Sequence, residues 1–200
     1  MNYFHYDDEA LNFLRQHDPS LGKVIDEVGI IKRKVEPDVF KALVSSIISQ
    51  QISVSAAATI FARVEAILGA VEPKKILLTE DEKFRECGVS VRKISYIKGI
   101  SEAVDRGDLD LKSLKSLGDE EVISKLVTLK GIGQWSAEML LIFSLERLDV
   151  ISFGDLMIRQ GLMKVHGLSS LSKEEFDVYK SRYSPYGSVA SFYLWAASKL

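Results

Sequence analysis

The sequence has few of the residues that cross-link or break a chain. Its 200 residues include one cysteine, Cys87, and four prolines. A single cysteine excludes an internal disulfide and a cysteine-ligated metal cluster, and it is typical of proteins in a reducing, intracellular compartment. We therefore expect apolar packing alone to stabilise the fold, which a chain of this length can achieve.

Long apolar runs and biased composition are also missing. No apolar stretch approaches the roughly 20 residues that a membrane span requires, so no membrane association is predicted. The N-terminal sequence is acidic and aromatic, unlike a secretory signal, which predicts a cytoplasmic protein. Hydrophobic residues make up 46% and charged residues 27% of the chain. These proportions exclude a disordered protein.

There is no excess of positive charge of the kind that often marks nucleic-acid-binding domains. The formal net charge at pH 7 is −2, whereas such domains are often strongly basic. An acidic total can conceal a basic face, however, because charges are distributed unevenly along a chain. Net charge therefore leaves the binding partner open.

Apolar residues recur at helical spacing almost everywhere between short breaks. The stretch 40–48 has apolar residues at positions i, i+3, i+4, i+7 and i+8, and 54–68 repeats the pattern before Gly69 ends it. Polar residues never alternate with Val, Ile and Thr long enough to indicate a sheet. The sequence predicts an all-α protein of about ten short helices with short connections.

Several helix starts carry capping signals. Thr79 with Glu82, and Ser172 with Glu175, have the spacing of a capping box. Ser90 precedes an apolar stripe at helical spacing, which predicts a further N-cap.

The most informative stretch is 129–137, with the sequence Leu-Lys-Gly-Ile-Gly-Gln-Trp-Ser-Ala. One helix is predicted to end near its first residue and another to begin near Gln134, with Ile132 as a buried tip between Gly131 and Gly133. Glycine leaves backbone N–H groups uncovered, and the following helix N-terminus adds a partial positive charge. Such a turn can bind one phosphate. A plain helix–turn–helix joint has the same local signature.

A carboxylate follows some twenty residues after this turn. Asp155 lies in the sequence Ser-Phe-Gly-Asp-Leu-Met-Ile-Arg of residues 152–159. It precedes an apolar run at helical spacing, which predicts an N-cap. Because a cap fixes a carboxylate at a helix start, capping and a chemical role are compatible.

In combination, these motifs resemble the helix–hairpin–helix (HhH-GPD) DNA glycosylase superfamily, and within it the 3-methyladenine DNA glycosylase II branch. Three further stretches match the motifs of that branch. Residues 49–53 resemble its S/G-Q-Q-x-S motif, residues 88–93 its G-x-S-x-x-K segment, and residues 185–195 its P-x-R-S-x-A…W motif. The resemblance runs from about residue 37 to the C-terminus, and five motifs in the same order make it specific.

The resemblance implies an all-α fold of two helical lobes with a cleft between them. One lobe would comprise about 37–150 and include the hairpin at 129–137. The other would comprise about 1–36 together with 151–200.

The implied activity is hydrolysis of the N-glycosidic bond of alkylated purines, of the 3-methyladenine and 7-methylguanine type, in double-stranded DNA after base flipping. Asp155 matches the catalytic carboxylate, since an anion favours the oxocarbenium-like state. Trp135 stands where bifunctional relatives carry a lysine, which implies base removal without strand cleavage. Trp135, Trp195 and Met139 match positions that line the base pocket. By apolar spacing alone, each is also consistent with a core position.

The resemblance also implies the DNA contacts. Gln51 matches the side chain that fills the gap left by the flipped base, with Gln50 beside it. Arg92 and Lys93 are candidate backbone contacts. The hairpin contacts would come from Lys130, Gly131, Ile132 and Gly133. A monovalent cation on the backbone carbonyls of Val127, Leu129 and Gly131 is the one possible cofactor, and no obligate protein partner is implied.

The sequence departs from the family pattern at three positions near these motifs. Gly154 replaces an acidic residue, Gly187 replaces an arginine of the C-terminal motif, and Ser184 lies where that motif is often basic. Two alternatives therefore stay open: a non-catalytic helix–hairpin–helix module that binds distorted DNA, and a glycosylase for deaminated or oxidised bases.

Overall fold

The computed structural model describes residues 2–200, and within this range the protein is helical without a β-strand. Its only β feature there is an isolated antiparallel bridge between Tyr3 and Lys34. The prediction of an all-α fold is confirmed. No helix in the described range is long and apolar enough to cross a membrane.

Twelve α-helices and one 3₁₀ turn, Ser113–Ser116, follow one another along the described chain. They are α1 (Asp8–His17), α2 (Pro19–Val28), α3 (Val39–Ser49), α4 (Val54–Leu68), α5 (Pro73–Leu78), α6 (Asp81–Glu86), α7 (Val91–Asp105), α8 (Asp119–Leu126), α9 (Gln134–Phe143), α10 (Leu156–His166), α11 (Lys173–Tyr183) and α12 (Gly187–Ala197). The chain divides into two compact units. We call Glu36–Leu140 the central unit, and the residues up to Val35 with Leu141–Leu200 the terminal unit.

In the central unit, α3 packs on α4 and α7, and α5 packs on α7. The apolar stripe of α3 is buried, as its spacing predicts. Gly69 ends α4 with a φ of 70°, and Ser90 caps α7. Both agree with the sequence.

One predicted capping box is wrong. Thr79 is the C-cap of α5, and its hydroxyl donates to the Lys75 carbonyl at 2.7 Å. Helix α6 begins two residues later without a side-chain cap. The capping-box pattern assigned the Thr79 hydroxyl to the start of α6, but in the structure this hydroxyl bonds a carbonyl of α5 instead.

In the terminal unit, α12 is buried along most of its length and packs closely on α10. A Cβ atom at Gly161 would lie 2.0 Å from the Leu194 carbonyl oxygen, so the two backbones touch at this glycine. Helix α11 begins with the predicted capping box of Ser172 and Glu175, which is confirmed.

A buried carboxylate joins α2, α10 and α11. Asp18 is 1% exposed and caps α2 by accepting two backbone N–H groups at 3.1 Å. Its Oδ2 accepts the Tyr183 hydroxyl at 2.8 Å and lies 3.0 Å from His166 Nε2. Burial alone raises the pKa of Asp18, but the hydrogen bonds from His166, Tyr183 and the backbone outweigh it and lower the pKa to about 2.

Asp18 should therefore make folding stability depend on pH. Its folded-state pKa lies below the ordinary value of 3.8, so its contribution is fully present above about pH 4 and is lost as the pH falls toward 2. Asp18→Asn should lower the free energy of unfolding by about 3 kcal/mol at pH 6, since it removes the charge from a buried hydrogen-bonded cluster. Between pH 5 and 3 the variant should lose less stability than the wild type. Urea unfolding followed by circular dichroism tests this, and parallel pH profiles would contradict it.

Candidate functional site

The hairpin before α9 contains the predicted turn, but the helix that precedes it ends earlier than predicted. Helix α8 ends at Leu126, three residues before the predicted end, and the chain continues as a turn in which the Leu129 carbonyl accepts the Ile132 N–H at 3.0 Å. Helix α9 begins at Gln134, as predicted, and the Gly133 carbonyl accepts the N–H of Ala137 in its first turn at 3.0 Å. Ile132 is 5% exposed and is the buried tip that the pattern indicates.

The two hairpin glycines differ in what requires them. Gly131 has a φ of +92°, and a Cβ atom there would lie 2.4 Å from the Tyr96 ring and 2.9 Å from Ile47. The fold itself therefore requires glycine at 131. Gly133 has no left-handed φ, and nothing lies within 4 Å of the position its Cβ would take. Packing does not require glycine at 133, so the phosphate contact expected of this residue stays a prediction.

Gln50 and Lys93 contact the protein's own backbone. The Gln50 side-chain amide donates to the Gly131 carbonyl at 2.7 Å. The Lys93 ammonium donates to the carbonyls of Ile48 at 2.8 Å and Gln50 at 2.7 Å. Burial, and to a lesser extent the charge of Arg92, lowers the pKa of Lys93. Contact of either side chain with DNA stays a prediction.

Three other predicted DNA contacts are exposed on the central unit. Gln51 has a φ of 59°, a left-handed conformation that is uncommon for a residue other than glycine. Arg92 lies in the first turn of α7, and Lys130 lies in the hairpin. Each of these side chains is accessible to a ligand on the surface of this unit.

The predicted cation ligands are backbone carbonyls, two of which already accept hydrogen bonds. The Leu129 carbonyl accepts the Ile132 N–H, and the Gly131 carbonyl accepts the Gln50 amide. A carbonyl oxygen has a second lone pair, so a monovalent cation at Val127, Leu129 and Gly131 stays a prediction. Among residues 2–200, no group of three or more His, Cys, Asp or Glu side chains could hold a metal ion.

Trp135 and Met139 lie one turn apart on α9 and so share a side of the helix. Trp135 is 47% exposed, which is inconsistent with a core aromatic. Met139 is partly buried. Their place in a base pocket stays a prediction.

Asp155 is a buried, oriented carboxylate. It is 7% exposed and forms the N-cap of α10, where its Oδ1 accepts the Ile158 N–H at 3.0 Å. The N-cap prediction is confirmed. The partial positive charge of the helix N-terminus stabilises the carboxylate further.

The start of α12 holds the chain segment that leads to Asp155. The Ser188 hydroxyl donates to the Arg147 carbonyl at 2.6 Å and accepts the Val150 N–H at 3.0 Å. The Gly187 N–H donates to Asp149 Oδ1 at 3.1 Å, and a Cβ atom at 187 would lie 2.9 Å from that oxygen. These contacts give Gly187 and Ser188 of the C-terminal motif a structural role, and they explain why glycine suits position 187 here.

Trp195 lies in an aromatic cluster of the terminal unit. Its ring centroid is 5.9 Å from that of Phe143 and 6.0 Å from that of Phe192, and the Arg33 guanidinium carbon is 5.7 Å from it. Sequence reasoning missed these neighbours, and it also missed Tyr96 beside the hairpin. No motif includes them, and the only signal for Arg33 is the basic run at 32–34.

Comparison with known proteins gives consistent matches over most of the chain. Residues 44–180 match the family described as HhH-GPD superfamily base excision DNA repair protein. DNA-3-methyladenine glycosylase 1 of Schizosaccharomyces pombe is 38% identical over 84% of this chain and 75% of the relative. DNA-3-methyladenine glycosylase of Saccharomyces cerevisiae is 33% identical over 93% of this chain and 78% of the relative.

Two solved structures are similar in both sequence and fold. The DNA-3-methyladenine glycosidase of Bacillus halodurans is 38% identical with a TM-score of 0.86, over 99% of this chain and 93% of that one. The Schizosaccharomyces pombe 3-methyladenine DNA glycosylase in complex with abasic DNA is 33% identical with a TM-score of 0.80. That match covers 96% of this chain and 97% of the other.

Proposed function

Since the chain belongs to the HhH-GPD superfamily of base excision DNA repair proteins, we propose that it hydrolyses the N-glycosidic bond of alkylated purines in double-stranded DNA. The observation that carries the proposal is Asp155, a buried carboxylate oriented by the start of α10 at the family's motif position. Two relatives at 38% and 33% identity carry the name 3-methyladenine glycosylase, which supports this substrate class. The enzyme acts inside the cell, with the chromosomal DNA.

The role of Asp155 is electrostatic. Positive charge develops on the deoxyribose as the base leaves, and a fixed carboxylate stabilises that state more than the neutral ground state. Its hydrogen bond to the Ile158 N–H orients the group before substrate arrives, so little reorganisation is needed during the reaction. The same carboxylate orients the attacking water.

The side chains that we assign to recognition of the damaged base are those of Trp135, Trp195 and Met139, the positions that the family resemblance implies. An extruded base is stabilised by stacking on aromatic rings. The half-exposed indole of Trp135 also attracts a cationic base, which favours purines that alkylation has made positive.

DNA is held largely by uncharged backbone groups. Gly133 leaves the N-terminus of α9 open to a phosphate, and Gly131 and Ile132 shape the turn that presents it. Arg92 and Lys130 add phosphate contacts, and Gln51 fills the gap left by the flipped base. Backbone donors of this kind are compatible with a net charge of −2.

Asp155→Asn tests the mechanism with little change in shape. An asparagine still accepts the Ile158 N–H, so the cap persists while the charge is lost. Excision from alkylated DNA, with each freed base identified chromatographically, should fall at least about 100-fold, and the Kd for an abasic-analogue duplex should be unchanged.

Asp38→Asn is the matched control, because Asp38 also caps a helix and accepts a backbone N–H at 3.0 Å. Its excision rate should equal that of the wild type. Near-normal excision by Asp155→Asn would contradict the mechanism. If the wild type binds DNA but excises no base, the non-catalytic module is favoured. If it releases only deaminated or oxidised bases, those bases and not alkylated purines are its substrates.

Gly133→Asp and Gly133→Asn form a matched pair that tests the phosphate site. Both residues are good N-caps, so the melting temperature of each variant should stay close to that of the wild type. The aspartate places a negative charge where the phosphate binds, so its Kd should exceed that of the asparagine variant about tenfold or more, on damaged and undamaged duplexes alike. A loss confined to damaged DNA would contradict a phosphate contact.

Base removal should occur without strand cleavage, because Trp135 stands where a Schiff-base lysine is needed. Borohydride added during the reaction should trap no covalent protein–DNA adduct, and alkylated strands should stay intact until alkali is added. Efficient trapping that one lysine substitution abolishes, such as Lys130→Met, would place the protein in the bifunctional branch.

A further inference from the structure

Two polar side chains connect three parts of the central unit at one point. The Gln50 amide donates to the Gly131 carbonyl of the hairpin, and the Lys93 ammonium of α7 donates to the Ile48 and Gln50 carbonyls at the end of α3. We call Gln50 and Lys93 the clasp. The bonds that it forms, 2.7 to 2.8 Å long, have the lengths of good hydrogen bonds.

Lys93 is placed where a cation is disfavoured unless it has a specific partner. It lies in the first turn of α7, whose N-terminus carries a partial positive charge, and it is partly buried next to Arg92. The carbonyls at the end of α3 carry a partial negative charge and lack helical donors. Lys93 supplies these donors, and it neutralises a negative helix end on the unit that we propose to bind phosphates.

The Lys93 contact also determines how Gln51 is presented. The Gln50 carbonyl belongs to the peptide group that joins Gln50 to Gln51, so a hydrogen bond to it fixes the plane of that peptide. Gln51 has the left-handed φ of 59°, a conformation that persists in a non-glycine residue only when its surroundings hold it. The side chain of Gln51 is exposed.

The Gln50 amide connects this loop to the hairpin. Gly131 already lies against Tyr96 of α7 and Ile47 of α3, with no space for a side chain. The hydrogen bond from the Gln50 amide to the Gly131 carbonyl further fixes the orientation of the turn relative to the end of α3. The Gln51 loop and the hairpin are therefore held as one element before any ligand binds.

We propose that Gln50 and Lys93 are positioning residues that hold Gln51 and the hairpin phosphate site in a fixed arrangement without touching DNA themselves. The inference rests on the proposed function, because it assigns DNA contacts to Gln51 and the hairpin. Its physical benefit is that the loop is ordered in the free protein, so binding does not have to order it.

The first test measures coupling between the clasp and Gln51. The Kd is measured for a duplex that contains a tetrahydrofuran abasic-site analogue, a readout that needs no excision. Lys93→Met and Gln50→Ala should each raise the Kd about tenfold. The Kd of the double variant should not exceed the higher of the two single-variant values. Gln51→Ala should raise the Kd of the wild type several-fold, yet change that of Lys93→Met by less than about twofold. Additive effects throughout would overturn the proposal.

Two further variants distinguish positioning from loss of charge. Lys98→Met is the matched control, because it removes a positive charge from the same helix while its partner is the Asp81 carboxylate; its Kd should equal that of the wild type. Lys93→Arg retains donors for the α3 carbonyls and should recover most of the affinity. Lys93→Met should leave the dependence of log Kd on log salt unchanged, whereas loss of a direct phosphate contact would reduce that slope by about 0.9.

Hydrogen exchange in the free protein tests the clasp without DNA. The amides of residues 130–133 should exchange faster in Lys93→Met than in Lys98→Met, while the buried amides of α7 stay protected. Gln50→Glu replaces the donor by an oxygen at a partly exposed position that tolerates the change, and it should speed the same amides. Unchanged exchange in both variants would overturn the clasp even if the protein excises bases. Faster exchange in a protein that binds no DNA would retain the clasp and refute the proposed function.

Discussion

Helix ends impose the constraint on which this protein depends. Twelve short helices in residues 2–200 leave many backbone N–H and C=O groups without helical partners, and each buried one needs another partner. Asp155 bonds a backbone N–H at the start of α10, Lys93 bonds carbonyls at the end of α3, and Gly133 presents no side chain at the start of α9. The residues we assign to chemistry, positioning and phosphate binding therefore all lie at helix termini.

This constraint also explains how an acidic chain can bind a polyanion. A helix N-terminus attracts phosphate through oriented backbone dipoles, which add nothing to the net charge. The same dipoles stabilise the carboxylate of Asp155 at the start of α10. In the function that we propose, one physical feature thus stabilises an anion of the protein at α10 and an anion of the ligand at α9.

Features of the structure that depend on residues close together in the chain could be predicted from the sequence. Helical spacing, the start of α9 at Gln134 and the Asp155 cap all follow from patterns a few residues long. The bond from Gln50 to Gly131 spans 81 positions, and no local pattern contains it. The predicted capping box at Thr79 is wrong for a related reason. The pattern does not show which of two adjacent helices the hydroxyl will bond.

The fold constrains the two glycines of the hairpin differently. Folding alone retains Gly131, because its φ and its neighbours Tyr96 and Ile47 exclude a side chain. At Gly133 no atom lies within 4 Å of the place where a Cβ would stand, so the packing of the protein does not exclude a side chain there. If Gly133 serves a bound phosphate, as we propose, a homologue that no longer binds DNA can replace it and still needs glycine at 131 to fold. An acidic side chain at 133 beside a retained Gly131 would therefore mark a homologue that keeps the turn but has lost the phosphate site that we propose.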